Sequence, residues 1–326
     1  MSTHENSATA IASPNIAFIK YWGNSDQSLR LPSNGSISMT LGGLESRVSV
    51  TFDKSLETDQ LHTHGVQFDH DPLPRISQHL DLIRDLAGIN TPAYIETQSN
   101  FPAGAGIASS SAIFAALTLA GTRSAGLHLD PQALSLLARR GSGSACRSIF
   151  SGFVEAFSGD EDHDAFAQSI APPNHWDIID LIALISRKHK SIGSTSGHAL
   201  ASTSPLQKAR VADAPRRLDL CRQAILGRNF PPLATVIEQD SNMMHAVMLT
   251  SSPPLFYLSP TSLALMEAIT TWRASGLRTC YTLDAGPNVH CITHLEDAEE
   301  VSSRLRVFSG VEEVLQAPPG EAVHLI

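Results

Sequence analysis

The chain has 326 residues, of which 42% are hydrophobic and 17% are charged, and its formal net charge is −9. This composition is typical of a globular protein with enough apolar material for two domains or one large one. The acidic balance, with a pI near 5.8, excludes the basic surface of a nucleic-acid-binding protein. Local basic groups such as Arg139–Arg140 and Arg187–Lys190 are therefore interpreted as small anion sites or solvated faces.

Cysteine and histidine spacing indicates no metal centre. The fourteen histidines follow no metal-binding pattern, and no CxxC pair occurs among Cys146, Cys221, Cys280 and Cys291. We expect reduced thiols in a cytoplasmic protein, because the polar N-terminal segment contains no secretory signal. No membrane contact is expected, since the longest apolar helix-like run, Ala112–Ala120, is too short to cross a bilayer.

The first half of the chain predicts strands mixed with helices. Alternating or β-branched segments predict strands over Ala10–Tyr21, Ser36–Leu41, Arg47–Phe52 and Ala93–Gln98. Apolar positions near a 3.6-residue spacing and a run of small residues predict helices over Pro74–Leu86 and Ser110–Ala120. A further helix is expected over residues 130–141, with Asp130 as its cap, Pro131 as its first residue and Gly141 at its end.

The second half continues the mixed pattern without regular βαβ alternation, which indicates an α+β fold. Strands are predicted over Ile178–Ile185, Thr279–Leu283 and Val289–Thr293, with a last pair of strand-like segments near the C-terminus. Helices are predicted near residues 205–226, 229–248, 261–275 and 296–308. A change of pattern after a proline-containing bridge predicts two domains, covering residues 1–175 and 176–326.

The stretch NIAFIKYWGN, residues 15–24, contains a lysine within an apolar, strand-like run. Alternation places Lys20 on the same face as Ile16 and Phe18. Lysine is rarely buried without a partner. We therefore expect Lys20 to face an anion.

Two small-residue loops offer candidate anion sites. In PAGAGIASSS, residues 102–111, a helix N-terminus and serine hydroxyls suit a phosphate, although a turn before a close-packed helix explains the residues equally well. In RGSGSACRS, residues 140–148, Ser142, Ser144 and Arg147 suit an anion, and a flexible loop with a solvated arginine is the alternative.

A third loop, LDAGPN at residues 283–288, joins two predicted strands. Its residues are common in turns for conformational reasons alone. A carboxylate at a strand end near two anion loops is nevertheless a candidate general base, and Asp284 is that carboxylate.

Taken together, these segments resemble the ATP-dependent mevalonate-5-phosphate and mevalonate-5-diphosphate decarboxylases of the GHMP kinase superfamily. The motifs NIAFIKYWG, SNFPAGAGIASSS, ARRGSGSACRS and LDAGPN occur in the family's order and at family-like spacing. The resemblance implies a GHMP kinase-like α+β fold, with a ribosomal-protein-S5-domain-2-like N-terminal domain and a ferredoxin-like C-terminal domain. It also implies ATP and Mg²⁺ as cofactors and a homodimer.

The resemblance assigns catalytic roles to three residues. Asp284 is expected to orient or deprotonate the 3-hydroxyl of a phosphorylated mevalonate, and Lys20 to neutralise charge beside Asp284 and the transferring phosphoryl group. Arg147 is expected to hold the substrate carboxylate or 5-phosphate, steadied by Asn15.

The remaining implied contacts are mostly to phosphates. Substrate binding is expected from Asn15, Tyr21, Asn24, Ser142, Ser144 and Thr195. The phosphates of ATP with Mg²⁺ are expected to contact Gly104, Ala105, Gly106, Ala108, Ser109 and Ser110, with Ser109 as the metal ligand.

Asn24 departs from the family's pattern. Diphosphate-using relatives usually carry a lysine after KYWG that pairs with the diphosphate, and a neutral amide forms a weaker bond to phosphate than an ammonium does. The sequence therefore predicts mevalonate 5-phosphate as substrate and isopentenyl phosphate as product. The alternatives are a mevalonate 5-diphosphate decarboxylase giving isopentenyl diphosphate, a mevalonate 3-kinase without decarboxylation, and a non-enzymatic GHMP-scaffold metabolite sensor. A hydrolase based on GSTSG (193–197) is disfavoured, because threonine occupies the nucleophile position.

Overall fold

A computed structural model of the chain describes residues 6–64, 71–101, 109–187 and 193–326, apart from the side chains of Ser194 and Thr195. The strands are β1 (Ser7–Ala12), β2 (Asn15–Ile19), β3 (Asn24–Asp26), β4 (Leu31–Pro32), β5 (Ser36–Thr40), β6 (Ser46–Phe52), β7 (Gln60–His64), β8 (Ala93–Ser99), β9 (Phe153–Ala156), β10 (Ala167–Ala171), β11 (Ile178–Leu184), β12 (Thr279–Thr282), β13 (Val289–His294), β14 (Glu313–Ala317) and β15 (His324–Leu325). The helices are α1 (Leu73–Ala87), α2 (Ser109–Ser124), α3 (Pro131–Gly141), α4 (Ser194–Leu200), α5 (Gln207–Leu226), α6 (Phe230–Leu249), α7 (Pro260–Ala274) and α8 (Ala298–Arg306).

Two sheets form the N-terminal domain. The first has the strand order β15-β1-β6-β8-β7 and the second has the order β10-β9-β5-β2. Helix α2 packs against β1 and β6 of the first sheet. Its fully buried face is rich in small residues, including Ala112, Ala115, Ala116 and Ala120, and small side chains let a helix lie close to a sheet.

The C-terminal domain is built on an antiparallel sheet with the order β12-β13-β11-β14. Every residue of β11 is buried. One face of this strand, with Leu181, packs against Leu265 and Ile269 of α7, and the other, with Ile182, faces the core that contains α6. Because both faces are covered, the strand has a nearly continuous apolar sequence.

Helix α6 joins the two domains, since it packs against both β2 and β12. The shared core brings Ile16 and Phe18 of β2 together with Leu233 and Ile237 of α6. The C-terminal ends of β2 and β12 are thereby held beside the same helix. The last strand, β15, returns to pair with β1.

The predicted α+β class is confirmed, but the single strand predicted over Ala10–Tyr21 is wrong. The segment forms two strands interrupted at Ser13 and Pro14, because proline lacks the N–H that a sheet ladder needs. Strands β3, β4, β7, β9 and β10 and helix α4 were not predicted. Helix α3 begins and ends as expected, with the Asp130 carboxylate accepting a bond from the Ala133 N–H at 2.8 Å.

All four cysteines are buried and free, so their predicted reduced state agrees with the structure. Across the described ranges, no helix combines the length and apolar character that a membrane crossing requires.

Candidate active site

Lys20 and Asp284 form a direct ion pair across the two domains. Lys20 directly follows β2, and Asp284 lies in the turn after β12. The Lys20 Nζ–Asp284 Oδ1 distance is 2.7 Å, with the lysine side chain 1% exposed and the carboxylate 26% exposed. The anion that the sequence required for Lys20 is therefore this carboxylate, which stays partly open to a substrate.

The charges around this pair favour an ionised Asp284. Burial raises the pKa of Asp284, but the charge and hydrogen bond of Lys20, together with the charge of Arg147, outweigh burial and hold it below the usual 3.8. Burial lowers the pKa of Lys20 from its usual 10.5, and the charges of Asp284 and Asp240 oppose that shift. The pair combines a carboxylate proton acceptor with an ammonium group in a site of low polarity.

Arg147 is held rigidly in the loop after α3. Its Nε and Nη2 donate to the Asn15 Oδ1 at 3.2 and 3.0 Å, and its Nη1 donates to the Ser36 Oγ at 2.7 Å. Asn15 is fixed in turn by its own donation to the Ser148 Oγ at 2.8 Å. Within the described part of the chain, no carboxylate forms an ion pair with Arg147, which is 3% exposed. A buried guanidinium without a counter-ion suits a substrate anion.

Ser142 and Ser144, both predicted to bind substrate, lie in the same loop as Arg147. Ser142 caps the end of α3, and its Oγ is 3.3 Å from the Ser110 Oγ at the start of α2. The Ser144 carbonyl accepts a bond from the Asn15 amide at 3.1 Å. These contacts bring the loop of residues 140–148 next to the first turn of α2.

Tyr21 lies against this loop at Gly143, where an added Cβ would be 2.4 Å from the Tyr21 Oη, and Asn24 lies beside Tyr21. The Tyr21 hydroxyl donates to the Asn24 Oδ1, and the Asn24 Nδ2 donates to the Gln27 Oε1 at 2.8 Å. Burial raises the pKa of Tyr21 to about 12, so the phenol is protonated and able to donate at neutral pH. The Tyr21 ring lies 4.2 Å from the ring of His198, measured between centroids.

Helix α4 joins this side of the site through His198, whose Nδ1 accepts a bond from the Gly23 N–H at 3.0 Å. Thr195 lies one turn earlier on α4, and its side chain is outside the description. Ser109 and Ser110 begin α2. Four other predicted nucleotide contacts, Gly104, Ala105, Gly106 and Ala108, lie outside the described residues.

Sequence reasoning missed a buried charge cluster under the site. Asp240 of α6 is fully buried, and its carboxylate accepts bonds from the Lys20 backbone N–H and from the Arg217 Nε, each at 2.7 Å. The Arg210 Nη2 donates to the Lys20 carbonyl at 2.8 Å. The cluster fixes the backbone of Lys20 on both sides. Its members are far apart in sequence, and each resembles an ordinary charged helix residue.

His245, also on α6, was not predicted as a site residue. Burial and the charge of Lys20 lower its pKa to about 4, so the imidazole is neutral at physiological pH.

Among the described residues, no group of three or more histidine, cysteine, aspartate or glutamate side chains is arranged to hold a metal ion.

Comparison with known proteins identifies the family of the chain. Residues 12–167 match the family model of the diphosphomevalonate decarboxylase-like N-terminal domain, and residues 180–321 match that of the mevalonate 5-diphosphate decarboxylase C-terminal domain. The predicted domain boundary at 175/176 falls between these ranges and stays a prediction.

Relatives share most of the chain. Diphosphomevalonate decarboxylase of Candida albicans is 40% identical over 86% of this chain and 83% of its own length. A structure of MDDEF in complex with MVAPP, AMPPCP and magnesium is 35% identical, covers 98% of both chains and has a TM-score of 0.92. A structure on the mevalonate diphosphate mediated ATP binding mechanism of the Enterococcus faecalis mevalonate diphosphate decarboxylase is 35% identical, with the same coverage and a TM-score of 0.91. The chain therefore belongs to the diphosphomevalonate decarboxylase family of enzymes.

Proposed function

We propose that the protein catalyses the ATP-dependent decarboxylation of mevalonate 5-diphosphate to isopentenyl diphosphate, ADP, phosphate and carbon dioxide. The observation that carries this proposal is the Lys20–Asp284 ion pair, 2.7 Å long. Beside it lies Arg147, which has no carboxylate partner among the residues that the structure describes. The names of the relatives and the mevalonate diphosphate described for the Enterococcus faecalis enzyme support the diphosphate as substrate better than the monophosphate that Asn24 predicted.

Asp284 is placed to accept the proton of the 3-hydroxyl, because its pKa is held below 3.8 and it is ionised at neutral pH. Lys20 holds the carboxylate in position and places a positive charge where the phosphoryl group meets the 3-oxygen. Arg147 binds the substrate carboxylate with its guanidinium, oriented by Asn15. Loss of the new 3-phosphate then leaves electron demand at C3, which the C–C bonding electrons satisfy as carbon dioxide leaves.

The residues present fit a magnesium nucleotide. Helix α2 begins at Ser109, and Ser110 lies within hydrogen-bond distance of Ser142 in the loop that carries Arg147. A helix N-terminus with serine hydroxyls favours phosphate oxygens. ATP would supply the phosphoryl group, and Mg²⁺ would neutralise part of the phosphate charge. Ser109 and Ser110 would hold the phosphates of ATP beside the loop of residues 140–148.

A second candidate, mevalonate 5-phosphate decarboxylation, is favoured by Asn24. The Asn24 side chain is neutral and its amide is engaged with Tyr21 and Gln27. Such a residue recognises a phosphate less strongly than an ammonium does.

A paired-substrate assay tests the proposal. Carbon dioxide, ADP and the isoprenoid product are measured with each substrate and ATP, so a 3-kinase that retains the carboxylate is also detected. We expect a higher kcat/KM for the diphosphate than for the monophosphate. Asn24→Lys should raise the kcat/KM for the diphosphate by about tenfold, because a charged contact to phosphate replaces a neutral one. Ser25→Lys, which adds the same charge at an exposed neighbour, is the matched control. A higher wild-type kcat/KM for the monophosphate would contradict the proposal.

We also propose, on the family resemblance, that the enzyme is a cytoplasmic homodimer. Sedimentation equilibrium of the purified chain tests the dimer, and a monomer at micromolar concentration would contradict it.

A further inference from the structure

Arg30 has an unusual backbone conformation beside the candidate substrate loop. It lies in the turn between β3 and β4, with a φ angle of +52°. Left-handed backbone is unfavourable for a side chain other than glycine, asparagine or aspartate, and such residues are concentrated at functional sites. The Arg30 Nε donates to the Arg140 carbonyl at 3.0 Å, at the end of α3.

A second arginine is anchored to the next carbonyl. The Arg75 Nε and Nη2 donate to the Gly141 carbonyl at 3.2 and 2.8 Å. Because Arg140 and Gly141 are consecutive, the two guanidinium groups lie close together. Burial, together with the like charge of Arg30, lowers the pKa of Arg75 to about 10.

These two cations differ in their partners from the arginines next to them. In the described ranges, no carboxylate forms an ion pair with Arg30 or Arg75, whereas the neighbouring Arg139 and Arg140 both pair with Asp162. Two like charges held together without a counter-ion repel each other, and an anion placed between them would relieve the repulsion.

The arginine pair lies beside the predicted position of the substrate's 5-phosphate. A Cβ atom placed on Gly143 would be 2.4 Å from the Tyr21 Oη, so Tyr21 covers the loop that follows α3. Burial raises the pKa of the Tyr21 phenol, and the positive charge of Arg30 opposes that shift. The Tyr21 hydroxyl contacts Asn24, the residue where the family pattern would have a lysine. Asn24 lies in β3, which pairs antiparallel with β4, and Arg30 is the last residue of the turn that joins these two strands.

We propose that Arg30 binds the terminal phosphate of the substrate's 5-diphosphate and so replaces the positive charge that Asn24 does not provide. The inference rests on the proposed function, since it assigns a residue of that substrate site. Arg30 is then a specificity-determining residue for a diphosphate over a monophosphate.

The test variant is Arg30→Asn, which removes the cation and keeps a residue that tolerates left-handed backbone. Arg228→Asn is the matched control, because Arg228 also has a φ angle of +52° and lies on the surface after α5. Arg30→Asn should raise the KM for mevalonate 5-diphosphate, and its Kd by calorimetry, about tenfold or more. The KM for the monophosphate and both kcat values should change less than about twofold. Adding Asn24→Lys to Arg30→Asn should restore diphosphate binding.

Failure of this inference and failure of the proposed function give different results. If the wild type prefers the diphosphate and Arg30→Asn keeps that preference, the Arg30 inference is wrong and the function stands. If the wild type decarboxylates only the monophosphate, the proposed function is wrong. In that case calorimetry with mevalonate 5-diphosphate still decides the inference: weaker binding to Arg30→Asn supports it, and unchanged binding overturns it.

Discussion

The substitution Asp240→Asn would break the buried cluster that holds Lys20. Asp240 is fully buried and lies between Arg210 and Arg217, which are 1% and 0% exposed. Its carboxylate also accepts the Lys20 backbone N–H at 2.7 Å. An asparagine of nearly the same shape would leave two buried guanidinium groups facing a neutral amide.

Removing one partner of a buried ion pair costs about 3–5 kcal/mol, because the remaining charge is left uncompensated. The Arg217 Nη1 keeps a contact with the partly exposed Asp213 at 2.6 Å, so we expect the lower end of this range. At roughly 2–4 °C per kcal/mol, the Tm should fall by about 6–12 °C. Because the backbone of Lys20 loses an anchor, kcat/KM should fall by about tenfold, the effect of a shift in a catalytic group.

Differential scanning calorimetry and steady-state assays of the folded variant measure both effects. Asp219→Asn is the control, since it makes the same change in an exposed pair with Arg222 on α5, where an effect of at most about 1 kcal/mol is expected. If Asp240→Asn matched this control in both Tm and kcat/KM, the cluster would not hold Lys20 as described.

Two further predictions concern pH and packing. Burial holds the pKa of Lys20 below 10.5. The ammonium should therefore be lost, and kcat/KM should fall, at a pH below 10.5. An alkaline decline of kcat/KM that begins only at pH 10.5 or above would contradict this prediction. The pKa of Asp284 is held below 3.8, so its protonation should limit activity only at a pH below that value. Gly143→Ala would place a Cβ atom 2.4 Å from the Tyr21 Oη. Displacement of the phenol should raise the KM for the substrate by about tenfold. An unchanged KM would contradict this prediction.

The contact between Lys20 and Asp284 was predictable, although 264 positions separate the two residues. Apolar surroundings required a partner for Lys20, and the order of the motifs, through the family resemblance, identified Asp284. Helix α3 was predictable for a local reason, since Asp130 and Pro131 specify its first turn.

Other features depend on long-range packing that one sequence does not reveal. β7, with the sequence QLHTH, is half-exposed and pairs parallel to β8 at the sheet edge, so it lacks a strong apolar pattern. Arg217 has the spacing of a solvated helix residue, and only the packing of α5 against α6 places it beside Asp240. The charge of Arg30 was visible in the sequence, but its contact with the Arg140 carbonyl at the end of α3 depends on the conformation of the β3–β4 turn.

The most direct test of the central claim is release of labelled carbon dioxide from carboxyl-labelled mevalonate 5-diphosphate by the wild type and by Asp284→Asn. With ATP and Mg²⁺, the wild type should release carbon dioxide and ADP in equal amounts. Asp284→Asn should release carbon dioxide at least about a hundredfold more slowly, the usual contribution of a general base, with a Kd for the substrate close to that of the wild type. Release by Asp284→Asn at a rate near that of the wild type would contradict the assignment of Asp284 as the proton acceptor.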